Sequence, residues 1–331
     1  MGYPQQDARK QIMKEFFELK NGAVILSAPE ASNIISYAQP DETEKKELLE
    51  TLQLDQHALE SALDPDEISR LEFTPDYLYI IWKRPNTASF KQFLRFEVSS
   101  LGIFVRQGKL TLILGENLVP FNAKEFQGIT SLNGVTLKFL LHTTHHFLGH
   151  LKVIKQLNGE IQGKLNLSME NRYLLQMFNL GESLIYYLNA LEANASVLMK
   201  LRTHTDKISF SKAELEMLDD IIIEHQQCCR QAQIYSSVLS GLMDARGNII
   251  NNNMNILLKN LTLINVVFLP LNLIAGIGGM SEYTRVTEGF INWPIAYALF
   301  LIAMIIMGIL TWTFLVNQIN RQKIVKDRDY K

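Results

Sequence analysis

The feature that most limits what this chain can become is a pair of uncharged stretches in its last quarter. Leu261 to Met280 carries no charge over about 20 residues, and Ile295 to Val316 adds about 22 more that are apolar apart from small polar side chains. Each is as long as an α-helix must be to cross a hydrocarbon core at about 1.5 Å per residue. The sequence predicts a first transmembrane helix over 261–280, a loop over 281–294 and a second transmembrane helix over 295–316. Trp293, Tyr297 and Trp312 fall near the expected interfaces, where amphipathic rings settle.

The first stretch is not uniformly apolar. Asn265 and Asn272 lie inside it, seven residues apart, and so return to nearly the same helix face. Steps of three and four extend this stripe through Asn255, Leu258, Leu261 or Thr262, Asn265, Leu269, Asn272 and Gly276. Amides facing lipid are costly, so the stripe must meet protein or water. One reading has Asn265 and Asn272 hydrogen-bonding to a neighbouring helix. The other, preferred here, has them lining a shared aqueous axis. Rings of Asn then offer neutral oxygens to a hydrated cation, and Leu258, Leu261 and Leu269 form constrictions that dewet. A lone hairpin of two spans has few other partners than copies of itself.

Charge sets the expected orientation. Beyond the second stretch, the tail over 317–331 carries Arg321, Lys323, Lys326, Arg328 and Lys331, whereas the loop holds only Arg285 against Glu282 and Glu288. Lys and Arg concentrate on the cytoplasmic side of membrane proteins, so both termini are expected there and the loop outside. The opening MGYPQQDARKQIMKEFFELK is polar and reads as no cleavable signal. A net charge of -2 argues against nucleic acid as a partner. Cys228 and Cys229 are adjacent in a predicted cytosolic helix and read as reduced structural thiols.

The region over 1–135 alternates strand and helix signals and predicts an α/β domain with helices flanking a sheet. Asn21 to Ser27, Tyr77 to Lys83, Gly102 to Val105 and Lys109 to Leu114 read as strands, with a turn at Gln107-Gly108. Asp41 to Leu52 and Asp55 to Leu63 read as helices, each opened by an Asp cap. Asp64, Asp66 and Glu67 form an acidic knot, read as a solvated helix start. There is neither a nucleotide-binding Gly loop nor a recognisable nucleophile setting, so no enzymatic activity is expected.

Residues 136–260 predict a helical stalk. His142, His146 and His150 fall at i, i+4 and i+8 of LHTTHHFLGH, one above another on a helix. Imidazoles so spaced suit zinc, nickel or cobalt, and equally suit half-buried positions on a helix packed against a sheet. A helix over Glu170 to His204 is followed by a break, then by a capping box at Ser211 and Glu214. The helix it opens meets no proline until Pro270, so it is expected to run unbroken into the membrane, about 100 Å at 1.5 Å per residue. A helix so long needs partners along its face, which self-association supplies. Asp244 lies 11 residues before Asn255, near three turns, and so belongs to the inner face. The Asn-rich run Asn248 to Asn255 is a poor helix former by propensity and suits a wet vestibule or a hinge.

The string FLPLNLIAGIGGM, Phe268 to Met280, resembles the end of the first membrane helix in the CorA/ZntB family of divalent-cation transporters. Its signature there is Phe-x-Pro-x-x-x-(Ile/Leu)-x-Gly-x-x-Gly-Met-Asn. Gly279-Met280-Ser281 stands where the signature has Gly-Met-Asn, so Ser replaces the Asn that receives the hydrated ion. The segment Leu63 to Pro85 resembles one leading into a strand of the family's cytoplasmic domain. The resemblance implies a funnel-shaped homopentamer in the cell (inner) membrane, embedded in the lipid bilayer. It also implies a divalent cation (Mg, Co, Ni or Zn) as substrate and possible regulator, with no organic cofactor. Gly279, Met280, Ser281, Glu282 and Glu288 would form the outer entrance. Asp244, 37 residues before Ser281, matches the family's inner acidic ring. Asp219, Asp220 and Glu224 match the region of a regulatory ion between subunits, or else form an exposed acidic face. The expected fold is an α/β domain, long stalk helices and a two-helix transmembrane hairpin. The expected function is passage of hydrated divalent cations; the alternative is a non-transporting relative acting as a regulatory or interaction protein.

Overall fold

A computed structural model describes residues 14–50, 53–86, 95–116, 121, 126–167, 171–280, 285 and 292–328. They divide into two compact units, Met1–Met243 and Asp244–Lys331.

The first unit is built on a sheet of seven strands: β1 (Lys14–Lys20), β2 (Ala23–Leu26), β3 (Ile34–Ala38), β4 (Arg70–Phe73), β5 (Leu78–Pro85), β6 (Val98–Arg106) and β7 (Lys109–Leu114). Their spatial order is β2-β1-β3-β7-β6-β5-β4. All neighbours run antiparallel except β3 and β7, which pair parallel with Ile34 opposite Leu110. Two hairpins turn tightly. Asn21-Gly22 and Gln107-Gly108 each place both central residues at positive φ, 53° and 78° in the first and 42° and 75° in the second. That geometry matches the right-handed twist of the flanking strands and favours Gly at the second position. Asn21-Gly22 is thus the turn between β1 and β2 and not, as expected from the β-rich run, the start of a strand. Strands β1 and β3 escaped the sequence reading because short runs such as IISYA carry no periodicity of their own.

Helices cover both faces. On one lie α1 (Glu42–Glu50) and α2 (Gln56–Leu63). Asp41 opens α1 by accepting from the amides of Thr43 and Glu44, and Asp55 opens α2 by accepting from that of Ala58. Leu48, Ala58, Leu59 and Ala62 pack there against Tyr79, Ile81 and Phe104. The opposite face of the sheet, with Ile80, Trp82, Ile103 and Leu112, meets three long helices. These are α3 (Leu132–Leu167), α4 (Asn171–Thr203) and α6 (Lys212–Gly278), with the single turn α5 (Thr205–Ile208) between the last two. Because alternate residues of β5 point to opposite layers and both are covered, the strand is buried along nearly its whole length.

The capping box at the start of α6 forms as the sequence implies. The Ser211 amide donates to Glu214 Oε2 at 2.6 Å, and the Glu214 amide donates to Ser211 Oγ at 3.3 Å. Glu214 also accepts from the Ser131 hydroxyl at the head of α3, tying two helix starts together. The second unit contains the remainder of α6 and α7 (Trp293–Arg328). Both carry a segment long and apolar enough to cross a membrane.

Candidate functional site

Within the second unit, the uncharged part of α6 is asymmetric. Its partly covered positions are Leu263, Val267, Pro270, Leu271, Ile274 and Gly278, spaced by threes and fours on one face. That face meets α7, whose partly covered positions are Ala296, Phe300, Met304, Met307, Gly308, Thr311, Leu315 and Val316. A Cβ placed on Gly308 would lie 3.5 Å from Leu271 Cδ1, and one on Gly278 would meet the Phe300 ring at 2.5 Å. A late residue of the first span thus faces an early residue of the second, so the two form an antiparallel hairpin.

Asn265 and Asn272 are exposed in this unit. At about 100° per residue they centre roughly 160° from the face that meets α7. Leu258, Leu261 and Leu269 share their side and are exposed as well. Asn255 is exposed and lies farther round the helix. The amides therefore do not serve to hold the second span. Threonine behaves differently: Thr262 donates to Leu258 O at 2.8 Å and Thr311 to Met307 O at 2.9 Å, so these hydroxyls are satisfied by their own helices. A primary amide has more donors and acceptors than such a back-bond can use, and it needs a partner beyond the helix that carries it.

At the C-terminal end of α6, Gly279 and Met280 continue the last turn, their amides donating to Ala275 O at 3.0 Å and Ile277 O at 3.2 Å. Ser281, Glu282 and Glu288 lie outside the described residues. Asp244 is exposed at the start of the unit.

The remaining candidates lie in the first unit, and several are already engaged. Asp219 accepts from Arg202, at 2.6 Å from Nε and 3.2 Å from Nη2. Glu224 lies 2.6 Å from His145 Nε2 on α3, and Asp220 is exposed. His142, His146 and His150 are half-buried along α3. His146 and His150 stack edge to face with centroids 4.5 Å apart, and His150 Nδ1 meets the Tyr187 hydroxyl at 2.5 Å. Burial, reinforced by His150, Arg84 and His142, pushes the His146 imidazole down to about 4. Among the described residues, no three His, Cys, Asp or Glu side chains come together to hold a metal. Ring contacts also join His142 to Phe126 and His150 to Phe96 and Tyr187. In the acidic knot, Glu67 pairs with Arg70 at 2.8 Å and the Pro65 carbonyl accepts from the buried Lys83 ammonium.

Sequence reasoning passed over the buried polar residues that join the helices to the sheet. His225 is fully buried; its Nε2 donates to Leu191 O at 2.8 Å, which leaves Nδ1 of the neutral ring to accept from Thr144 Oγ1 at 3.1 Å. Its signal was present, because it occupies a core position of the stripe Leu218, Ile221, His225, Cys228 and Ala232. Arg84, equally hidden, donates to Glu116 at 3.0 Å.

Residues 30–321, taking in most of the sheet, the long helices and both membrane spans, match the family described as CorA-like Mg2+ transporter protein. The chain belongs to this family. Family membership makes it an integral membrane protein and a divalent-cation transporter, not an enzyme. It is 25% identical over 254 residues to the cobalt/magnesium transport protein CorA of Methanocaldococcus jannaschii, with 73% of this chain and 77% of that one covered. The complete structure of the CorA magnesium transporter from the same organism superposes with a TM-score of 0.72 at 20% identity, over 91% of this chain and 96% of that one. The full-length CmaX protein superposes with a TM-score of 0.64 at 14% identity, over 82% and 86%. These likenesses cover the α/β domain, long helices and two-helix hairpin expected from the sequence, and so bear out the fold class.

Proposed function

We propose that this chain is one protomer of a homo-oligomer, most simply a pentamer, that passes hydrated divalent cations along a central axis lined by the first membrane span. The observation that carries the reading is the placement of Asn265 and Asn272 on the face of α6 turned away from α7. Amides there must find protein or water in a bilayer, and copies of the same face around an axis supply both. The carboxamide oxygens replace part of an ion's hydration shell without binding it so tightly that it cannot leave, while Leu258, Leu261 and Leu269 form the hydrophobic gate. Asn255 and Asp244 lie toward the cytoplasmic mouth, where a ring of Asp244 carboxylates concentrates cations. Gly279, Met280 and Ser281, with Glu282 and Glu288, form the outer mouth. Both termini are cytoplasmic, a placement that the basic tail supports, and the membrane is the cell's inner membrane.

The curated relative carries cobalt and magnesium, so these are the first ions to test, with nickel and zinc beside them. Asp219, Asp220 and Glu224 form the candidate regulatory site, completed by a neighbouring protomer. The deciding experiment is divalent-ion uptake into liposomes containing the full-length protein. Uptake that disappears in Asn272→Leu supports the path. Undiminished uptake in that variant, or none in the parent protein with any of the four ions, overturns it.

A further inference from the structure

The contact between Gly278 and Phe300 is closer than any pair of ordinary side chains would allow. A Cβ on Gly278 would meet three atoms of the Phe300 ring at 2.5, 2.9 and 3.0 Å, so the ring lies directly on the helix backbone. Real Cβ atoms do not approach so closely, and the far side of the contact is a rigid ring. Any side chain at position 278 must therefore displace either Phe300 or the end of α6.

The residue after Gly278 begins the outer mouth. The Gly279 and Met280 amides are bonded back to Ala275 and Ile277, so these two residues move with the last turn of the helix and not independently of it. Gly278 is on the α7 side of α6, whereas Asn272 is on the opposite side. A shift forced at 278 thus pushes the terminus toward the face proposed to carry ions. At Gly308 the fit is looser: a Cβ there would sit in ordinary contact with Leu271 at 3.5 Å.

We propose that Phe300 seated on Gly278 is a positioning pair: it sets where the outer end of the first span stands, and through it how Gly279 and Met280 meet an arriving ion. The proposal rests on the reading that the first span lines the path. Neither residue touches the ion; both act through the backbone that follows.

The test is Mg2+ uptake by the full-length protein in liposomes, measured across ion concentration for Gly278→Ala, Phe300→Ala, the double variant and Asn272→Leu. Gly278→Ala is expected to raise the half-saturating Mg2+ concentration by about tenfold, since small misplacements of a binding group cost that much or more. A merely structural lesion lowers the maximal rate, by leaving fewer active assemblies, and does not move half-saturation. Phe300→Ala, which frees the helix end, is expected to raise half-saturation too. The double variant is expected to match Phe300→Ala, because the clash is gone once the ring is removed. If Gly278→Ala cannot be obtained folded, Phe300→Ala and the double variant decide. Unchanged half-saturation in Phe300→Ala, or additive effects in the double variant, overturns the proposal. If Asn272→Leu abolishes uptake while the 278 and 300 variants behave as the parent, the positioning pair alone is lost. If Asn272→Leu leaves uptake intact, the path itself is lost.

Discussion

Asn194 on α4 pairs with the backbone of Lys83 on β5 as a neighbouring strand would. Its Oδ1 accepts from the Lys83 amide at 3.0 Å, and its Nδ2 donates to the Lys83 carbonyl at 2.8 Å. Strand β4 begins at Arg70, opposite Ile81, so the ladder on that side of β5 ends before Lys83. The carboxamide supplies the missing rung, and the Ser69 hydroxyl, donating to the same Oδ1 at 2.7 Å, fixes its orientation. Asn194→Leu leaves a buried amide and carbonyl without partners, at about 1–3 kcal/mol for each group. The variant is expected to melt at a clearly lower temperature than the parent protein. Thermal unfolding in detergent, followed by tryptophan fluorescence, checks this; an unchanged midpoint would mean that water satisfies Lys83.

The histidines make stability depend on pH. Burial holds His225, His150 and His146 below the ordinary imidazole value, and His146 is pushed down to about 4 with His150, Arg84 and His142 adding repulsion. The unfolded chain then binds more protons than the folded one below about pH 6.5, so stability falls as pH drops through that value and on toward 4. Above it these groups contribute no slope. The unfolding midpoint is expected to decline between pH 7 and pH 5, before most carboxylates titrate, and less steeply in His146→Gln. Equal slopes in the two proteins would remove His146 from the account.

Asp219 offers a way to separate an ion effect from a fold effect. Its bridge to Arg202 is half-exposed, and such pairs contribute about 0–1 kcal/mol. Replacing Asp219, Asp220 and Glu224 together by Ala should therefore shift the unfolding midpoint little. If the trio holds a regulatory cation between protomers, the same variant should lose the protection from proteolysis that Mg2+ gives the parent protein. An identical, Mg2+-dependent digest in both would sink the regulatory site.

Asp244 is expected to act at long range. A ring of carboxylates at a pore mouth raises the local cation concentration, and its field is screened within about 10 Å at 0.1 M salt. Asp244→Asn should slow divalent uptake severalfold at low ionic strength and far less in high salt. A loss that salt does not diminish would point to direct coordination or to a structural role.

The chain's own order of residues determined the two spans, the caps at Asp41, Asp55 and Ser211, the turn at Gln107-Gly108 and the amide stripe. Each is a local matter: apolar length, a side chain three residues from an open amide, a tolerance for positive φ, or a helical repeat. Tertiary structure decided what depends on partners distant in sequence. It set which side of α6 meets α7, because the amide stripe marks one face of the helix but packing against Phe300 and Gly308 is what turns that face away from the second span. It also set His142 against Phe126 and His150 against Phe96 and Tyr187, and paired Asp219 and Glu224 with Arg202 and His145, neighbours that no spacing along the chain reveals. Local chemistry acts over a turn or two and is readable in order; burial and pairing join positions a hundred residues apart, as Asn194 joins Lys83, and become visible only when the chain is folded.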